Sequence, residues 1–110
     1  MRKIKFRAWD KINKMWLKRF NVNLLNIGDL SNVEIMQYTG LKDIAGDEIY
    51  EGDIVKDVSD GILGYIEYSD GGFVVIYDDI AEKLNTDESA YLEVVGNIFE
   101  NPELLGEGEG

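Results

Sequence analysis

The chain contains no cysteine and no histidine. The first absence excludes disulfides and thiolate metal sites, and fits a reducing interior. The second removes His-based acid–base catalysis, Ser-His-Asp and Cys-His nucleophilic sites, and the usual zinc ligand sets. One proline occurs in 110 residues, and no apolar run approaches the roughly 18 residues of a membrane helix, so no membrane association is expected. The opening Lys3-Ile4-Lys5-Phe6-Arg7 is basic with no apolar stretch behind it. No signal peptide is therefore expected, and the expected location is cytoplasmic.

Basic residues are scarce beyond residue 20. Residues 1–20 hold eight Lys/Arg against Asp10 alone, a balance of +7, whereas residues 21–110 hold three Lys/Arg against 21 acids, a balance of −18; together they make the net −11. Opposite charges of this size attract, either within one chain or between neighbouring chains. Apolar content is 45%, enough for the core of one small domain.

Short strands punctuated by turns dominate the pattern. Residues 1–20 alternate, with Ile4, Phe6 and Ala8 on one face and Lys3, Lys5, Arg7 and Trp9 on the other. Asp10–Lys14 reads as a turn and Met15–Phe20 as the returning strand, giving a hairpin with an apolar face and a basic, aromatic face. Such a hairpin is marginal alone, so its apolar face is expected to pack on the body or on another subunit. Residues 21–32 read as a connector. A strand over Val33–Tyr38 leads into Tyr38–Lys56, YTGLKDIAGDEIYEGDIVK, where Gly40, Gly46 and Gly52 mark turns. Asp43–Asp47 reads as a tight reversal, followed by strands at Glu48–Tyr50 and Ile54–Val58. Asp70-Gly71-Gly72 joins strands Ile62–Ser69 and Phe73–Asp78. Ile80–Leu84 is expected to form a short helical turn and Asn85–Ser89 an acidic loop. Tyr91–Phe99 is a last strand bent at Gly96. Asn101-Pro102 predicts one helical turn, with Asn101 as its cap. Residues 106–110 form a Gly/Glu tail.

Three separated blocks, YTGLKD, EIYEGDIVK and EVVGNIFENPELL, together with the opening KIKFRAWDKINKMW, resemble the YopX family, small proteins of bacterial phages and prophages. The resemblance runs from about Lys3 to Leu105. It implies an SH3-like β-roll as the main body and no assigned activity, and it supplies no catalytic or ligand-binding residues to carry over.

The expected fold is thus mainly β: a basic hairpin arm and connector over residues 1–32, an SH3-like roll over residues 33–105, and the tail. The candidate interaction surface is Lys3, Lys5, Arg7, Trp9, Trp16, Lys18 and Arg19. These residues suit an acidic surface of a second copy, phosphates and stacked bases, or plain solvation that blunts a sheet edge. A body at −18 disfavours nucleic acid. The acids Asp43, Asp47, Glu48, Glu51 and Asp53 are metal-ligand types, but turns already call for Asp and Gly, and no EF-hand spacing is present. Gly71-Gly72 lacks the Lys-Ser/Thr of a phosphate loop. No catalytic, cofactor or metal site is expected. The expected function is that of a non-enzymatic, phage-derived accessory protein that self-associates through the arm and presents an acidic surface to a host or phage protein. Nucleic-acid binding through the hairpin and acidic mimicry of DNA are the alternatives.

Overall fold

Turn residues break this chain into strands of two to ten residues, and the strands curl into a half-barrel. The computed structural model describes residues 5–17 and 32–106. The strands are β1 (Phe6–Asp10), β2 (Met15–Trp16), β3 (Val33–Lys42), β4 (Glu48–Tyr50), β5 (Asp53–Asp57), β6 (Leu63–Ser69), β7 (Gly72–Tyr77), β8 (Ile80–Lys83) and β9 (Leu92–Asn97). A single helical turn, α1 (Thr86–Ser89), precedes β9, and a 3₁₀ turn spans Pro102–Leu105. One sheet runs β2-β1-β3-β4 and the other β8-β7-β6-β5-β9. The fold is mainly β and barrel-like, as expected.

Local chemistry explains the corners. Asp10 closes the first hairpin: its carboxylate accepts hydrogen bonds from the Ile12 and Asn13 amides and from Asn13 Nδ2. Ser69 pairs with Gly72 across Asp70 (φ 50°) and Gly71 (φ 82°), the two left-handed residues of a type I′ turn. Gly52 (φ 88°) ties the two sheets together. Its amide donates to Ile66 O, its carbonyl accepts from Ile98, and a Cβ there would stand 3.0 Å from Met36 Sδ. β9 bulges between its pairings with Ile54 and Val55, next to Gly96. The Asn101 side chain fills the space that a Cβ on Gly96 would need.

Ile49, Val55, Ile66, Phe73, Val75 and Leu92 form the core, with Tyr77, Leu84 and Val94 packed against it. The β3–β4 turn then closes onto the free side of β9. The Ile44 amide donates to Leu92 O at 2.9 Å. Asp43, buried, accepts from the Ala45 and Asp47 amides through Oδ1 and from the Val94 amide through Oδ2.

Several expectations change. Ile80–Lys83 is a strand, not a helical turn: Asp78 (φ 53°) and Asp79 reverse the chain in two residues, and Tyr77 pairs with Ile80. Asn85–Ser89 is not a plain loop. Asn85 caps a helical turn by accepting from the Glu88 amide at 2.8 Å. The turn after Pro102 forms, but Asn101 does not cap it, because its side chain accepts from Asn97 N instead. The connector lies almost wholly outside the described residues, as does the tail beyond Gly106.

Candidate functional site

The first hairpin forms where alternation placed it, with Trp9 opposite Trp16 and Asp10 opposite Met15. β1 also pairs along its whole length with β3, from Phe6–Gln37 to Asp10–Val33. The hairpin is therefore part of a four-stranded sheet. Its orientation differs from the expected one. Phe6 is 47% exposed, whereas Trp9 is 4% exposed. Ala8, on the face of Phe6, is also buried at 1% exposed, so the strand is covered on both sides there, and Arg7 and Trp9 are turned onto the body rather than to solvent.

Arg7 shows why. Its guanidinium lies 4.5 Å from the Trp16 ring and 4.5 Å from the Tyr50 ring, and Nη2 donates to Asp53 Oδ1 at 2.6 Å. A planar, weakly hydrated cation stacks between aromatic rings in a way that an ammonium does not. Asp53 is 2% exposed, and its second oxygen accepts from the Tyr50 amide at 2.7 Å. Burial pushes the Asp53 carboxyl up, against the opposing pull of Arg7 and of the Tyr50 amide. Lys5 meets Glu48 at 2.6 Å, a contact that raises its pKa, and its ammonium lies 5.5 Å from the Tyr38 ring. Lys11 meets Glu34 at 3.0 Å. At these three residues the attraction between basic arm and acidic body is satisfied inside one chain. The structure brings Arg7, Trp9 and Trp16 together and holds Lys5 nearby. Lys3, Lys18 and Arg19 lie outside the described residues.

Four of the five central acids also have structural partners. Asp43 and Asp53 are occupied as described, Glu48 pairs with Lys5, and Glu51 accepts from the Gln37 amide at 3.3 Å. Among the described residues no group of three or more acids is placed to hold a metal ion. No helix among them is long and apolar enough to cross a membrane.

Charge patterning gave no hint of β8. All four residues of β8 are exposed, and Ile80 is 59% exposed. β8 is the last strand of its sheet. Tyr77–Ile80 closes the hairpin, and the Leu84 amide donates to Phe73 O. Residues that hydrogen-bond to β7 therefore fall at 80, 82 and 84, and the N–H and C=O groups of Ala81 and Lys83 point away from it. Alongside opens a cleft of about 630 Å³, lined in part by Leu41, Tyr68, Phe73, Lys83 and Leu84. Tyr68 and Phe73 meet edge to face at 5.1 Å. The cleft offers apolar surface, and β8 offers backbone that is unpaired among the described residues, which is the chemistry of strand addition. The available sequence signal was Asp78-Asp79 after the β-branched run Val74-Val75-Ile76 and directly before Ile80.

Comparison with known proteins agrees with this architecture. The family model described as YopX protein matches residues 21–106. The crystal structure of protein EF1440 from Enterococcus faecalis is 29% identical and superposes with a TM-score of 0.76, over 96% of this chain and 99% of that one. The crystal structure of protein yopX from Bacillus subtilis is 24% identical, with a TM-score of 0.58 over 96% and 97% of the two chains, and is a likeness of fold. No curated protein matches.

Proposed function

This chain belongs to the YopX family, and from that premise we propose that it is a non-enzymatic, phage-derived accessory protein whose work is to hold another protein along strand β8. One observation carries the reading: β8 ends its sheet with four exposed residues, beside an apolar cleft. Open edges with free N–H and C=O groups template the pairing of a further strand. A partner segment that is extended over three or four residues fits this edge, with the Phe73–Leu84 side of the cleft beside it. The surplus of acids disfavours nucleic acid as that partner. Lys5 and Arg7, which phosphate binding would need, already meet carboxylates.

The test is photo-crosslinking in the bacterial host, with the photoreactive residue at Glu82, comparing the unmodified edge with Ala81→Pro. Proline removes the outward N–H and blocks strand addition. The expected result is a discrete crosslinked protein that disappears with Ala81→Pro while the circular dichroism spectrum is kept. The same crosslinked protein at the same yield from both chains would overturn the reading.

A further inference from the structure

Resting on the reading of β8 as a pairing edge, we propose that its occupant is β8 of a second copy, added antiparallel about a two-fold axis at Ala81. A two-fold contact uses the same patch on both chains, so each residue must tolerate its own partner under the symmetry. The outward backbone groups belong to Ala81 and Lys83, and the axis can fall at any of the four residues of β8, which makes four short registers. An axis at Ile80 sets Glu82 of each copy against Asp78 of the other. An axis at Lys83 sets the two ammonium groups directly opposite each other. An axis at Glu82 does the same with the two carboxylates. Like charges directly opposite destabilise a strand pair. An axis at Ala81 sets Ala81 against Ala81, a small uncharged pair that exchanges both backbone hydrogen bonds, and Lys83 of each copy against Asp79 of the other. Residues opposite in an antiparallel pair share a face, so both Lys83–Asp79 pairs lie on one face with Ala81 between them.

The other face carries Ile80 and Glu82. In this register Ile80 of one copy lies opposite Glu82 of the other, so the exposed isoleucine is covered by the stem of the glutamate. The two Glu82 carboxylates are diagonal rather than opposite, and Asp78 lies beyond the paired stretch. The result is a continuous sheet of ten strands, five from each copy. Lysine on an edge strand ordinarily guards against such pairing. Here Asp79, in the turn that starts β8, supplies the matching charge at the position the two-fold demands. The contact is small, so weak dimerisation is expected, with a Kd of micromolar or above.

Sedimentation velocity across a concentration series, up to millimolar chain, tests the register. The unmodified chain is expected to dimerise reversibly. Lys83→Asp and Asp79→Lys, each alone, are expected to weaken the dimer by about tenfold, because each puts like charges opposite. The double variant restores the attraction with its signs exchanged and is expected to regain the dimer. These are exposed positions, so the variants retain the fold even where Ala81→Pro does not. A dimer indifferent to both single changes, or a double variant no better than the singles, overturns the register. A chain monomeric throughout overturns the second copy as occupant. That outcome is distinct from failure of the edge itself, which is read from the crosslinking with Ala81→Pro.

Discussion

Arg7 and Asp53 lie 46 residues apart in the chain and 2.6 Å apart in the fold. The pair joins β1 of one sheet to β5 of the other. Asp53 Oδ2 also holds the amide of Tyr50 in β4, so one carboxylate connects three strands and both sheets. Arg7 Nε is buried with no hydrogen-bond partner among the described residues, so the guanidinium is held by stacking and by one edge.

Removing the cation should therefore cost more than removing the charge from both sides. Arg7→Ala leaves the Asp53 carboxylate buried and uncompensated. It should destabilise by about 3 kcal/mol, at the lower end for buried pairs because Arg7 retains some solvent contact. Arg7→Lys should recover part of this loss, since an ammonium reaches the carboxylate but does not stack flat between Trp16 and Tyr50. Arg7→Met with Asp53→Asn should be less destabilised than Arg7→Ala. Urea unfolding monitored by tryptophan fluorescence orders the three, and a different order would contradict this account.

Asp43 closes the barrel by accepting three backbone N–H bonds. Asp43→Ala orphans all three donors and should cost about 2–4 kcal/mol. The effect should be local at first, with faster hydrogen exchange at the amides of Ala45, Asp47 and Val94. Asp43→Asn has one acceptor oxygen, so it should lose either the turn amides or Val94 and fall between the two. Unchanged exchange at Val94 in Asp43→Ala would show that the seam is held by something else.

Alkaline pH should destabilise the fold. The Tyr77 phenol is pushed far above its ordinary value of 10.0, by burial first and then by Glu88, and Tyr50 is raised by burial and by Glu48. Above pH 10 the unfolded phenols ionise while the folded ones stay neutral, so the unfolded state binds fewer protons and stability falls as pH rises. Lys5 adds to the same slope. Its raised pKa gives stability that is complete below its ordinary 10.5 and is lost as pH rises through the folded value. Urea midpoints at about pH 8 and about pH 11 measure the slope. Tyr77→Phe should flatten it, and an unchanged slope in that variant would refute the assignment.

Much of this architecture is legible because turn chemistry is local. Asp70-Gly71 reads as a hairpin turn, because two consecutive left-handed residues are tolerable for Asp and Gly. Asp43–Asp47 reads as a reversal for similar reasons, and the strands between follow from β-branched residues. Less legible was Ile80–Lys83, a strand of four residues that is too short for a period of two to stand out from one of 3.6. The three cations Lys5, Arg7 and Lys11 could be read as basic, but not as paired. Alternation sorts the side chains of β1 into two faces without saying which face finds a cover.

The sequence by itself determined a mainly β chain with its turns, its family, its lack of thiol and imidazole chemistry, and its split between a basic start and an acidic remainder. These follow from residue types and near neighbours. The tertiary structure decided that Arg7 and Trp9 turn inward, that Asp43 closes the barrel on Val94, and that β8 is the last strand of its sheet among the described residues. Each depends on contacts between residues distant in the chain. A carboxylate 46 residues away reverses the reading of a basic face, and the order of strands in the sheet determines which strand stands last.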